Sequence, residues 1–443
     1  MKFLLINPRW QGLVGRDRLF NRPWPPLSLL NCAAILERAG YKVRVIDARA
    51  NKIRKEDLKN CSSWADFVLM TSSPMDRWQC PNLDLEPLLS YAEGLPKEKL
   101  ILCGVHGTIY PERIYKLTKA DFIIRGEPES AILDFIDKRK WEDTLGVSYH
   151  NDGKIIHNLQ CPPLDLSVLP YPSYNLINPI HYYYELLGKR IALLETSRGC
   201  QYQCPFCLKI MYGKGVRIKP IQQILDEIVM VINKNNFRCI YFMDIDFSFD
   251  NQRTTELCQD LIRSNLDFSW ACQTRLDNMN EELLTIMYKA GCRLIHFGIE
   301  TGKHSTQQSI KKETEIGKAR SIINRAYKLG MATACFFILG FPHETRRDRE
   351  ETLNLALTLN STYASFHLLS PYPTTPIFKD HLEEGDFFPE CLPDIPISEV
   401  NRWIRYSLFR FYSRPNHIAK NIRFYLIDGN ICNKIRLYKE FIW

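Results

Sequence analysis

Residues 194–209, LETSRGCQYQCPFCLK, set Cys200, Cys204 and Cys207 in a Cys-x-x-x-Cys-x-x-Cys spacing directly behind an apolar run. No other stretch constrains the chain as much, because three thiols in one short loop are suited to gathering around metal. An ordinary cubane iron-sulfur cluster takes four cysteines, one per iron, so a loop that offers three leaves one iron with an open position. Open positions are where metal sites do chemistry. Gly199 relieves crowding just before the first ligand, and Phe206, beside Cys207, is placed to cover one face of the site. The same residues also suit a structural zinc site or three unrelated buried thiols. Zinc would want a fourth ligand close by, and no Cys or His lies between Cys207 and Cys239.

The spacing, the strand-like run before it and the aromatic beside it together resemble the radical S-adenosylmethionine (SAM) superfamily. That resemblance implies a 4Fe-4S cluster on Cys200, Cys204 and Cys207. Its free iron would chelate the amino and carboxylate groups of SAM, and an electron from it would release a 5'-deoxyadenosyl radical.

At 443 residues, 45% hydrophobic and 12% aromatic, the chain is long enough for two or three domains with sizeable cores. Nothing approaches the roughly eighteen apolar residues of a membrane span, and the opening MKFLLINPRW is broken too soon by Pro8 for a secretory signal. Fifteen cysteines without paired spacings suit a reducing compartment, so a cytoplasmic protein is expected. The twelve cysteines outside the loop form no second CxxC group, which argues against an auxiliary cluster. A net charge of +8 without a recognition motif does not point to nucleic acid.

From the start to about residue 140, FLLIN (3–7), VRVID (43–47), DFVLMT (66–71), LILCG (100–104) and DFIIRG (121–126) alternate with helical patterns, the first over 27–38. That is the rhythm of a parallel sheet covered by helices, whose ligands sit at the carboxyl ends of the strands. Asn7-Pro8-Arg9 stands where a dinucleotide fingerprint would place its glycines, so a nicotinamide site is disfavoured. The segments INP, PPLSLL, AGYKVRVIDA, CGVHGT and RGEPES are together similar to the cobalamin-binding domain that precedes many radical SAM domains. The resemblance implies cobalamin contacts from Ser72, Arg77, Trp78, Gly104, His106, Gly126 and Glu127. Two departures stand out: no histidine precedes His106, so none can reach cobalt from the first loop, and Val105 replaces an expected glycine. The residues after the third strand, Pro74 to Trp78, would approach the lower face of cobalt, with Trp78 the first choice and Arg77 the next. The same segment also reads as a surface loop with an aromatic cover.

Five prolines between residues 161 and 179 read as an extended connector. Six strand-like runs follow, each with a helical pattern behind it: IALLET (191–196), CIYFMD (239–244), FSWAC (268–272), RLIHFGI (293–299), ATACFFILG (332–340) and YASFHLL (363–369). Six such units make a partial barrel, whose working face lies at the carboxyl ends of its strands. The stretches WACQTRLD, FGIET and ILGFPHET resemble the SAM-pocket segments of cobalamin-type relatives. They imply SAM contacts from Phe206, Asp244, Arg275, Glu300 and Gly340, with Arg275 toward the carboxylate and Glu300 toward the ribose or amino end. An Arg275–Glu300 ion pair across the rim is the bland alternative. Pro373-Thr374-Thr375-Pro376 stands where the family usually has Pro-Gly-Thr-Pro.

Beyond Asn401 the chain is basic and aromatic, and suits an amphipathic helix. It could greet an anionic or lipid-like substrate, or pack on the barrel with solvated arginines. The whole reads as an α/β chain. An N-terminal Rossmann-like (flavodoxin-like) cobalamin-binding domain spans 1–140 and a proline-rich linker 141–186. A partial (β/α)6 TIM-type radical SAM barrel follows over 187–385, then a small helical C-terminal region over 386–443. The expected activity is methylation of an unactivated carbon of a small molecule, whether lipid-like, tetrapyrrole or natural-product intermediate, with flavodoxin or ferredoxin as electron donor. Oxidative cyclisation and a non-catalytic corrinoid or iron-sulfur carrier are the rivals. A carrier would not need the charged groups on the barrel rim.

Overall fold

A computed structural model describes residues 1–9, 22–312, 314–382 and 388–426. Residues 386–387 and 427–443 of the C-terminal region expected over 386–443 lie outside the described residues, as do the side chains of Arg423, Tyr425 and Leu426. The chain forms two compact units, one of Met1–Tyr183, Arg190–Gly199 and Leu208–Phe237, the other of Tyr184–Lys189, Cys200–Cys207 and Arg238–Trp443.

In the first unit, β1 (Lys2–Asn7), β2 (Lys42–Asp47), β3 (Phe67–Thr71), β4 (Leu100–Cys103) and β5 (Phe122–Ile124) form a sheet in the order 2-1-3-4-5, all pairs parallel. This is the flavodoxin-like doubly wound order, with its switch point between β1 and β3. Strands buried on both faces need continuous apolar runs, and residues 3–6 and 100–103 are such runs, fully buried. Helix α1 (Leu27–Arg38) covers one face after Pro25-Pro26, a pair that favours a helix start rather than its interior.

The stretch 141–186 holds more structure than an extended connector. β6 (Val147–Asn151) and β7 (Lys154–His157) extend the first sheet as antiparallel strands, joined at Asp152-Gly153, both with positive φ as a tight hairpin turn requires. Trp141 stacks on Phe135 at 4.0 Å, and Leu164, Leu166 and Leu169 join the same core. Proline spacing conceals these anchors in the sequence, because apolar residues in an irregular segment have no period to betray them.

All six strand-helix units expected downstream are formed. β8 (Ile191–Leu194) precedes the cysteine loop. In the second unit β9 (Cys239–Phe242), β10 (Ser269–Thr274), β11 (Cys292–Glu300), β12 (Ala332–Leu339) and β13 (Tyr363–Leu368) pair in parallel in chain order. Three of the helices that follow these strands start on side-chain caps. Asp250 accepts from the Arg253 amide, Asn280 from Leu283, and Thr345 and Asp348 form a capping box at the head of α2 (Arg346–Leu359). The basic aromatic stretch becomes α3 (Ile397–Tyr412), which packs on the barrel. Its Tyr412 hydroxyl accepts from the Ala364 amide at 3.0 Å and donates to the Ala364 carbonyl at 2.9 Å. One side chain thus satisfies both backbone groups of a residue on an edge strand.

Thr374 occupies the position where the family usually has glycine, and its φ is +73°. The backbone keeps the left-handed conformation that glycine adopts freely and a β-branched residue does not. Thr374→Gly is therefore expected to stabilise the protein by about 0.5–1 kcal/mol, after the extra unfolded-state entropy of glycine is set against the relieved strain. Urea denaturation measures the difference, and a less stable variant would show that the threonine side chain earns its place.

Candidate functional site

The cysteine loop begins where the chain can turn only on glycine. Ser197–Gly199 pairs antiparallel with Val216–Ile218, and Gly199 has φ +105° with any Cβ driven into the Gly215 carbonyl. The Cys207 amide donates to the Cys204 carbonyl at 3.2 Å, closing a turn that leaves all three cysteines partly exposed. Among the described residues no three His, Cys, Asp or Glu side chains are gathered closely enough to hold one metal ion. A cluster with one thiolate per iron spreads its ligands more widely than a single ion does, so three thiols on one open loop fit it. Phe206 packs into a small apolar cluster with Phe341 (ring centroids 6.2 Å apart), Ile377 and Leu392. The Pro205 carbonyl accepts from the Ile377 amide at 3.2 Å.

The barrel rim holds this loop from one side. Asp246 accepts from the Thr274 hydroxyl at 2.7 Å, the Arg275 amide at 3.1 Å and the Asn278 amide nitrogen at 2.7 Å. Asn278 in turn accepts from the Tyr202 hydroxyl at 2.8 Å. The Arg275 guanidinium lies 3.9 Å over the Tyr202 ring, and its Nη1 is 3.7 Å from Cys204 Sγ. Asp277 grips the other edge of the guanidinium, with Nε to Oδ2 at 3.1 Å.

Glu300 ends β11 in the left-handed region, φ +69°, beside a register shift, a strained conformation of the kind concentrated at functional sites. Its Oε1 accepts from the buried Lys312 ammonium at 2.6 Å. Burial works against that charge, but Glu300 and the nearby Cys204 raise the Lys312 pKa above its ordinary value. The Arg275–Glu300 ion pair weighed above is absent, because Arg275 is bound to Asp277 and Glu300 to Lys312. Lys312 and Asp277 are the rim residues that the sequence did not reveal. Each lies in a polar stretch with no period, and only the fold brings Lys312 near Cys204 and Asp277 onto Arg275. Asp244 is buried at the end of β9, where its charge supports Arg253. The Gly340 amide is taken by Glu344 Oε2 at 2.7 Å, and Glu344 by Arg349 at 3.0 Å.

In the first unit the predicted residues gather at the carboxyl ends of β3, β4 and β5. Gly104 has φ +109°, and a Cβ there would stand 2.6 Å from the Ser72 hydroxyl and 2.9 Å from that of Ser73. The Ser72 hydroxyl is buried without a hydrogen-bond partner, so a polar group of a ligand would satisfy it. The Gly126 amide donates to Thr108 Oγ1 at 2.9 Å. His106 is fully buried, with Nε2 2.8 Å from the Asn82 carbonyl, and burial pushes its pKa down to about 4, which keeps the ring neutral. Asp76, with φ +53°, is held by the Ser28 hydroxyl and amide, and burial pushes its carboxyl up to about 7. Arg77 stands over the Trp24 ring at 5.6 Å.

Trp78 is 5% exposed and covers the Arg198 guanidinium at 5.1 Å. Arg198 is the centre of a buried charge cluster. It reaches Glu127 at 2.9 Å, Glu129 at 3.1 Å and Glu195 at 2.5 Å, while Arg217 reaches Glu127 at 2.7 Å. Glu127 also accepts from the Leu164 amide at 2.9 Å, so both its oxygens are committed inside the protein. Burial raises the Glu129 pKa, and its Oε2 has no partner. Removing Arg198 leaves three buried carboxylates to a single partly exposed arginine, so Arg198→Met is expected to destabilise the protein by about 3–5 kcal/mol. Glu129→Gln, which replaces the acid that burial pushes toward its neutral form, is expected to cost under about 1.5 kcal/mol. Chemical denaturation of the two variants checks the contrast, and equal losses would contradict it.

Residues 194–356 match the model of the Radical SAM superfamily. An uncharacterized methyltransferase of Pyrococcus horikoshii is 25% identical, with 99% of each chain covered. The anaerobic magnesium-protoporphyrin IX monomethyl ester cyclase of Rubrivivax gelatinosus is 26% identical over 87% of this chain and 72% of its own. Among solved structures, the cobalamin-dependent S-adenosylmethionine radical enzyme OxsB, with aqua-cobalamin and S-adenosylmethionine bound, superposes with a TM-score of 0.71. That likeness covers 98% of this chain and 72% of OxsB at 18% identity. The chain therefore matches the Radical SAM superfamily model over residues 194–356 and, over nearly all its length, has a fold similar to that of OxsB.

Proposed function

We propose that this protein is a cobalamin-dependent radical SAM enzyme that methylates an unactivated carbon of a small molecule. The observation that carries the reading is the three-thiol loop Cys200–Cys207, with Arg275 and Lys312 beside its Cys204, in a chain that also holds a flavodoxin-like sheet. A four-iron cluster with SAM supplies a hydrogen-abstracting radical, and cobalamin supplies a methyl group that a carbon radical can accept, which SAM alone does not.

The residues of this chain do the rest. Cys200, Cys204 and Cys207 hold the cluster and leave one iron for SAM. Arg275, fixed by Asp277 and Tyr202, and Lys312, fixed by Glu300, are the cations for the SAM carboxylate, and Glu300 and Asp244 serve its amino and ribose groups. Phe206 and Gly340 shape the pocket wall. Ser72, Gly104 and Gly126 make the small-residue cradle for cobalamin, with the unsatisfied Ser72 hydroxyl as its polar contact. Trp78 closes the lower side of that cradle, stiffened by Arg198 beneath it, with Arg77 beside it. His106, neutral and bound to the Asn82 carbonyl, lines the cradle as a packed core ring, and Glu127 acts through Arg198 and Arg217. An electron donor such as flavodoxin or ferredoxin reduces the cluster. No described helix is long and apolar enough to cross a membrane, and a cytoplasmic setting suits fifteen cysteines with no disulfide spacing.

The cyclase relative makes oxidative ring closure the second reading. Product stoichiometry separates the two. A methylase uses one SAM as the radical source and a second to recharge the corrinoid, so 5'-deoxyadenosine and S-adenosylhomocysteine are expected in about equal amounts, with labelled methyl from SAM on substrate carbon. Substrate conversion with deoxyadenosine alone would establish the cyclase. Neither nucleoside under strong reductant would favour the carrier.

A further inference from the structure

The basic aromatic helix α3 takes no part in the site described above, yet with α2 it borders an open cleft of about 710 Å³. Arg402, Tyr406 and Arg410 stand at i, i+4 and i+8 along α3, and therefore form one stripe down the wall of the cleft. Trp403 lies in the same wall with the Arg346 guanidinium 5.8 Å over its ring, and Leu353 supplies apolar surface from α2. Two carboxylates also border the cleft, but each is already committed. Glu350 pairs with Arg346 at 3.2 Å, and Glu399 pairs at 2.5 Å with Arg349, which is buried behind it.

Arg402 and Arg410 have no carboxylate partner among the described residues, and the Arg410 Nη1 instead donates to the neutral Tyr406 hydroxyl at 2.7 Å. The cleft thus carries an excess of positive charge from planar guanidinium groups, which match carboxylate, sulfonate or phosphate oxygens in pairs. Beside those groups it offers the Trp403 and Tyr406 rings and an aliphatic side chain, a wall that can take a flat apolar body. Its volume is that of a small-molecule site.

We infer that the cleft between α2 and α3 is a binding site for an amphiphilic organic anion, with the acid group on Arg402 and Arg410 and the apolar body against Trp403. This site is independent of the radical chemistry. Its test needs neither cluster nor cobalamin, so its failure leaves the proposed reaction untouched.

The experiment uses the full chain and 1-pyrenesulfonate as a flat anionic probe, followed by fluorescence titration. One saturable site is expected, with affinity falling at least tenfold in the Arg402→Gln/Arg410→Gln double variant and several-fold when Trp403 is changed to Ala. Neutral 1-pyrenemethanol is expected to bind at least tenfold more weakly than the sulfonate. Both arginines are exposed, and an unchanged melting temperature verifies that the double variant folds. A measurement on the unaltered chain stands beside it: affinity for the sulfonate falls as salt is raised, because the contact is between exposed charges. Equal binding by the double variant, equal binding of the neutral probe, or an affinity indifferent to salt would each overturn the assignment.

Discussion

The buried Arg198 guanidinium is the interaction on which the first unit depends most. Taking a charge out of water is costly, and it is sustained here by Glu127, Glu129 and Glu195 together, with Arg217 compensating from the side. These groups come from distant parts of the sequence. Two glutamates belong to the RGEPES segment after β5, while Arg198 and Glu195 lie in the few residues before Cys200. Such a node is not needed for stability, since apolar residues of similar volume would serve as well or better. What it supplies is definition. Through Arg198 the segment that leads into Cys200 is tied to Glu127 and Glu129, and Trp78 is stacked on the same cation.

A comparable logic governs the second unit, on a smaller scale. Tyr202, Asn278 and Asp246 form a chain of hydrogen bonds from the cysteine loop to the ends of β9 and β10, and Arg275 lies across it. Lys312 adds a second cation whose charge is protected by Glu300. Two fixed cations thus stand on the rim beside the cysteine loop, where they suit an anionic ligand.

Much of this was legible in the sequence. The three cysteines, the alternation of apolar runs with helical patterns and the extent of α1 follow from spacing and period alone. The pairing of Arg198 with Glu127 and Glu129 does not, because nothing in a linear pattern says which of many charged residues will be buried together. Glu127 accordingly read as a ligand contact, whereas its oxygens are committed to Arg198, Arg217 and Leu164. The hairpin Val147–His157 was hidden for another reason: it is short, half exposed and set beside a proline-rich stretch. Thr374 shows the reverse case, where a residue other than the expected glycine still holds a left-handed backbone.

The central claim is that Cys200, Cys204 and Cys207 hold a four-iron cluster with one iron open to SAM. Electron paramagnetic resonance of the anaerobically reconstituted, reduced protein tests it most directly, recorded before and after SAM is added. The expected result is a four-iron signal whose shape changes on adding SAM, and which is lost when the three cysteines are replaced by alanine. A signal that survives those replacements, or one indifferent to SAM, would contradict the account.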